Sequence, residues 1–239
     1  MLIYYLAAKT EVNNLAVYEQ KSKESTRDYT YKLLKEKILK LDLRPGRKIS
    51  EKEMSEVLTV SRTPIREAFL RLSQEELLEI FPQRGTFVSL IDLDHVEEAR
   101  FLRENIERAI VRQACEVLDE EELFQLETNV TMQEMCLKKE NYATLLELDE
   151  EFHRILFAGC NKLRIWNTIQ QMNNHFIRLR VLRIGSNLNW NVVVSQHRNI
   201  QDLILQKDAD GAEAAMAEHL QLVAIEKGEL EKAYPDYFK

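Results

Sequence analysis

The chain has 239 residues, 45% of them hydrophobic, with only 6 glycines and 4 prolines. It is therefore long enough for two domains with cores of their own, and its scarcity of chain breakers predicts a mainly helical fold. A net charge of -7 excludes a chain that is basic throughout, and three cysteines (Cys115, Cys136 and Cys160) without metal-ligand spacing or a secretory signal are expected as buried thiols in a reducing cytoplasm.

Residues 1–25 are expected as an N-terminal extension. Its apolar run, Leu2 to Ala8, is too short to span a bilayer and lacks a positive leader, so no membrane partner is expected. Residues 26–90 form the next expected unit. Arg44-Pro45-Gly46-Arg47 reads as a turn, and Lys48-Ile49 as a short strand. Ser50-Glu51-Lys52-Glu53 matches a capping box at the start of a helix over 51–58. Thr59 and Val60 make a turn, Ser61 can cap the next helix, and Pro64 is tolerated within its first turn. That helix, residues 62–75, turns Ile65, Ala68, Phe69 and Leu72 to one side. Leu77 to Phe81, Gln83-Arg84-Gly85 and Thr86 to Leu90 then read as strand, tight turn and strand, with Arg84 at the tip.

Arg62 and Arg66 are four apart and project from one helical face. A helix opening with two guanidiniums and the Thr63 hydroxyl suits entry into a DNA major groove N-terminus first, because arginine reads guanine bidentately and the first turn favours phosphate. Residues 29–89 also resemble the winged-helix domain of the GntR family of bacterial transcription regulators. The likeness rests on Arg-Pro-Gly before the second helix, Ser-Glu-Lys-Glu-Met along it, Val-Ser-Arg-Thr-Pro-Ile-Arg-Glu-Ala entering the third, and Arg-Gly-Thr-Phe-Val in the wing. The resemblance implies that Lys52, Arg62, Thr63 and Arg66 contact the major groove and that Arg84 and Gly85 form a minor-groove wing tip. Glu76 departs from it, since many members carry a glycine there to end the helix in a left-handed turn. The charge divides accordingly: residues 26–90 hold 13 Lys or Arg against 10 Asp or Glu, and residues 91–239 hold 17 against 27. A modest local excess is enough when the arginines share a face.

Past Leu90 the pattern becomes a series of amphipathic helices, with 91–232 expected as an all-helical bundle and 233–239 as a C-terminal tail. A helix starting at the capping-box-like Asp94-His95-Val96-Glu97 runs to about Val117, with Leu102, Ile106 and Ile110 on one side. Asp119 and Asn141 can cap the next two, to about Lys139 and Gly159. Three more are expected over 162–184, 191–206 and 210–232. Asp149 and His153 share a helical face, while His197 and His219 lie on later helices. One carboxylate and three imidazoles make a competent shell for zinc first, or for nickel or manganese. On spacing alone, hydrogen-bonded or surface histidines are the favoured account of the same residues.

Residues 94–227 resemble the FCD effector domain that follows the winged helix in one large GntR subfamily. That resemblance implies that Asp149, His153, His197 and His219 hold a divalent metal in a central cavity and that Arg103 faces it as the effector-binding residue, with a small carboxylate its best partner. A surface salt bridge with Glu107 is the competing reading of Arg103. His95 is expected as a first-turn surface residue and His175 as a polar residue of the fourth helix. The sequence thus predicts a mainly α protein, a winged helix-turn-helix followed by a helical FCD bundle. It is expected to act without enzymatic activity, as a cytoplasmic homodimer, on a two-fold symmetric double-stranded operator under control of a small organic acid. The alternatives are a regulator for which the ion itself is the signal, or a metal-dependent hydrolase.

Overall fold

The structure, a computed structural model, describes residues 25–184 and 190–239, with the side chains of 223–226 left aside. The expected N-terminal extension therefore lies, but for Ser25, outside the described residues. Two compact units emerge, one running up to Asp92 and joined by Tyr234–Lys239, the other spanning Leu93–Ala233.

The first unit holds α1 (Thr26–Leu39), β1 (Lys48–Ile49), α2 (Glu51–Leu58), α3 (Arg62–Gln74), β2 (Leu78–Phe81) and β3 (Gly85–Val88). The strands form one antiparallel sheet in the order β1-β3-β2. Arg44 to Arg47 closes as a turn, with the Arg47 N–H donating to the Arg44 carbonyl at 3.1 Å and Gly46 at φ 76°. Proline then glycine at the two central positions is what a type II turn requires. Leu34, Ile38, Ile65, Phe69, Leu72 and Leu77 fill the core between helices and sheet.

Local chemistry corrects two of the expected caps. Ser50 Oγ accepts the Glu53 N–H at 3.1 Å, but the Glu53 carboxylate pairs with Arg47 at 2.6 Å. Only half of the expected capping box forms, because a guanidinium outcompetes a backbone amide for a carboxylate. Ser61 sits at the N-cap of α3 without a side-chain cap bond.

At the other end of α3, Glu76 takes φ 60°, the left-handed value for which glycine was expected. The Leu77 N–H reaches back to the Leu72 carbonyl at 2.9 Å and Leu77 is fully buried, as in a Schellman ending. The hydrophobic contact thus holds a non-glycine residue in a conformation that L-residues resist. Glu76→Gly should therefore stabilise the first unit by about 0.5–1 kcal/mol in urea unfolding; a loss of stability would contradict this account of the helix end.

The C-terminal tail folds back on the first unit's own chain. Residues 235–237 form a short 3-10 turn, and Phe238 pairs in parallel with Ile91. The Ile91 N–H donates to the Tyr237 carbonyl at 2.8 Å and the Lys239 N–H to the Ile91 carbonyl at 3.1 Å.

The second unit is helical throughout its described residues: α4 (Leu93–Val117), α5 (Glu120–Lys138), α6 (Tyr142–Gly159), α7 (Leu163–Met172), α8 (Asn174–Ile184), α9 (Trp190–Leu205) and α10 (Ala209–Ala233). Asp119 makes a full capping box with Glu122, and Asn141 caps α6 through the Thr144 N–H. Helix α4 begins at Leu93, which places Asp94 inside the first turn and not at the cap. The single helix expected over 162–184 is two, broken at Asn173. All three cysteines are free and buried. The core gathers Val111, Leu126, Phe152, Leu156, Ile200 and Met216 from five helices, so the faces of α4, α6, α9 and α10 converge on one interior.

Candidate nucleic-acid interface and metal centre

On the first unit the α3 N-terminus is laid bare. Arg62, Thr63 and Arg66 are exposed, as is Lys52 on α2, while Pro64, Ile65, Ala68 and Phe69 turn inward. Arg62 has no ion-pair partner among the described residues. Arg66 does: its Nε and Nη2 reach the two Glu51 carboxylate oxygens at 3.0 and 3.4 Å. Glu51 therefore occupies the fork of donors that a guanine edge would take.

The wing turn places Gln83 at φ 63° and Gly85 at φ 111°. A Cβ on Gly85 would also come within 2.8 Å of Lys48 Cε, the movable end of a flexible side chain, so it is the backbone that calls for glycine. Arg84 is exposed beside it, with its guanidinium carbon 5.5 Å from the Phe81 ring centre.

In the second unit Asp149 and His153 of α6, His197 of α9 and His219 of α10 each offer a ligand atom, all within 4.8 Å of one another, and all four residues are buried. His197 Nε2 lies 3.2 Å from His219 Nε2, which lies 3.3 Å from His153 Nε2. The opposite ring nitrogens face oxygen acceptors. His197 Nδ1 is 2.8 Å from Gln133 Oε1 and His219 Nδ1 is 3.1 Å from Gln196 Oε1. His153 Nδ1 is 2.5 Å from Glu107 Oε2; the approach is off-axis for a hydrogen bond, but two lone pairs that close would repel, so the nitrogen carries the proton.

The amide of Gln133 is oriented by its own partners, since its Nε2 donates to Asn129 Oδ1 at 2.7 Å. Its oxygen must then face His197, which fixes that ring as the Nδ1–H tautomer. All three rings thus turn Nε2 toward one point, and His197 does so in the Nδ1–H tautomer. Ligands about 2.0–2.1 Å from a tetrahedral zinc stand about 3.3 Å apart, close to the spacing found here. The donor set fits a divalent transition metal.

Guanidiniums flank this centre. Arg103 Nε donates to Glu107 Oε1 at 2.6 Å, both side chains 1% exposed. The pairing expected as a surface bridge thus forms in the interior, and Arg103 Nη2 is buried without a hydrogen-bond partner. Arg180 of α8 donates to Asp149 Oδ2 and to Glu150 at 2.9 Å.

Burial alone would push Asp149 and Glu107 up. The guanidiniums beside them reverse this: Arg180 holds Asp149 well below the usual carboxylate range, and Arg103, with the His153 ring against it, brings Glu107 to about 2. Burial lowers His197 to about 3 and His219 well below its ordinary value, so both rings are neutral, the form that binds metal.

Sequence reasoning missed Arg180, Gln133 and Gln196, which carry no local signal. Glu107 was visible only as the partner of Arg103. His95 is corrected: it is half-buried, and its ring packs 4.7 Å from that of His175, itself buried on α8.

Residues 26–88 match the family model described as bacterial regulatory proteins, gntR family, and residues 98–222 match that of the FCD domain. The chain is 31% identical over 208 residues to the HTH-type transcriptional repressor RspR of Escherichia coli K12, covering 87% of this chain and 91% of that protein. It is 29% identical over 178 residues to the Nta operon transcriptional regulator of Aminobacter aminovorans, covering 74% and 83%. Among solved structures, E. coli McbR/YncC superposes with a TM-score of 0.74 at 20% identity, over 89% of this chain and all of that one. A GntR regulator from Rhodococcus sp. RHA1 gives 0.64 at 21% identity, over 88% of this chain and all of that one. These two likenesses concern the fold.

Proposed function

This chain belongs to the GntR family of bacterial regulatory proteins and carries an FCD domain, and from that membership we propose that it is a transcription regulator whose operator affinity is set by a small carboxylate held at a metal centre in its helical unit. The observation that carries the effector half is the convergence of three imidazole Nε2 atoms and the Asp149 carboxylate, with each ring's Nδ1 turned to an oxygen. Asp149, His153, His197 and His219 would hold zinc, or nickel or manganese, and the ion would supply positive charge to anchor an anion. Imidazole nitrogens argue against calcium, which seeks oxygen.

Charge counting favours an acid as the signal over the ion alone. The Arg103 guanidinium is matched by Glu107, and that of Arg180 by Asp149 and the half-buried Glu150, which offset at most one unit of a divalent ion's charge. A divalent cation among neutral imidazoles therefore leaves positive charge in a low-dielectric interior, which an anion offsets. Arg103 Nη2, buried and unpartnered, is the donor best suited to a carboxylate oxygen.

On DNA, Lys52, Arg62, Thr63 and Arg66 are the proposed major-groove contacts, with Arg84 and Gly85 at the minor groove. One reading head per chain offers few base contacts, so a homodimer on a two-fold operator follows. The acid shifts the population of two arrangements of the dimer and thereby the spacing of its heads. No helix among the described residues is long and apolar enough to cross a membrane, and the protein is proposed to work in the cytoplasm.

The test is titration of an operator selected from random duplexes, with zinc and a panel of organic acids varied separately, alongside light scattering. Two chains per operator are expected, with an acid-induced shift in affinity that needs zinc. A full shift on zinc alone would make this a metal sensor, and a single chain on one half-site would defeat the dimer.

A further inference from the structure

We propose that Glu107 is the positioning residue of the metal centre, its one carboxylate fixing His153 in the metal-binding tautomer while anchoring Arg103. This rests on the metal reading above. The geometry divides the carboxylate: Oε1 takes the Arg103 Nε–H at 2.6 Å, and Oε2 stands 2.5 Å from His153 Nδ1, close but off the hydrogen-bond axis. Glu107 is 1% exposed, so both contacts lie away from bulk solvent. Both neighbours demand an acceptor. Arginine has only donors, and His153 presents Nε2 as a lone pair to the centre only if Nδ1 carries the proton.

An ionised carboxylate offers two acceptor oxygens, one toward each neighbour, whereas an amide of the same shape offers one. In Glu107→Gln the single oxygen turns toward the guanidinium, which can accept nothing in its place. The amide NH2 then faces His153 Nδ1 and makes it the acceptor, which moves the ring proton to Nε2, pointing at the metal position. The substitution thus inverts a tautomer with hardly any change in volume. Removing the guanidinium as well, in Arg103→Met with Glu107→Gln, frees the amide oxygen to turn back to His153.

The experiment uses the full chain stripped of metal, with zinc alone as the probe. Long-range proton–nitrogen spectra of 15N-histidine-labelled protein, assigned against His153→Gln, read the tautomer of His153. Wild type should show Nδ1–H and Glu107→Gln should show Nε2–H. Zinc affinity should fall about 10–100-fold in the single variant and recover at least several-fold in the double variant, an order that general damage to the fold cannot produce. Zinc affinity within threefold of wild type in Glu107→Gln, or a double variant no better than the single, overturns the assignment while leaving the metal centre standing. A wild-type chain that binds no zinc overturns the metal reading and this assignment with it.

Discussion

Arg62→Ala and Arg66→Ala should each weaken operator binding by about 1–3 kcal/mol, roughly 5–150-fold, and relax the base preference where each side chain reads. Both guanidiniums stand in the first turns of α3, exposed, on a helix whose opposite side is buried in the core. The helix cannot roll to present another face, so the reading side is fixed by Ile65, Ala68, Phe69 and Leu72. The two variants should differ in character. Arg62 has no ion-pair partner among the described residues, and its loss removes contacts only. Arg66→Ala also leaves Glu51 without its guanidinium, adding an uncompensated carboxylate near DNA phosphate. Its penalty should be the larger at low salt and shrink as salt rises. Lys52→Ala and Arg84→Ala should weaken all sequences about equally and lower the salt slope by about one. Operator titrations at several salt concentrations separate these outcomes, and wild-type affinity in both arginine variants would rule out docking through this helix.

Much of the first unit is legible because its signals are local. Pro45-Gly46 specifies its turn, Ser50 its cap and the 62–72 apolar spacing its buried side, each within a few residues. The break at Asn173 is not legible: no glycine or proline marks it, its φ of -90° is unexceptional, and the apolar pattern continues across it. Helix α8 begins just after this break and carries Arg180, whose partner Asp149 lies 31 residues away. The same limit governs the metal centre. The Asp149–His153 pair is a four-residue spacing, and the later histidines follow from family likeness. Gln133, however, is 64 residues from His197 and looks in sequence like any polar position of α5. Arg103 shows how two readings can each be partly right: its Glu107 pair is real, and so is its place in the interior, because a four-residue pair on a helix says nothing about which way that face turns.

His197→Ala should lower zinc affinity by about 100-fold or more, a larger loss than removal of a residue that only supports a ligand. His197 is fully buried, its ring stacked on Phe152 at 4.1 Å between centres, so its truncation removes a ligand held in place by packing. Truncation also leaves a cavity and an unsatisfied Gln133 oxygen, which destabilises the protein whether or not metal binds. The informative quantity is therefore the rise in Tm on adding zinc and not Tm itself. At zinc about 100 times the dissociation constant, binding adds about 2.7 kcal/mol to the folded state. For a chain of this size that is roughly 5–10 °C, and nearly all of it should vanish in His197→Ala. Arg103→Ala should keep the zinc-dependent rise, because Glu107 still holds His153, while weakening the acid through loss of its charge partner. Calorimetry with zinc first and acid second on wild type and both variants reads the two steps apart. Full zinc and acid binding in His197→Ala would place the metal elsewhere and reduce this helical unit to a dimerisation bundle.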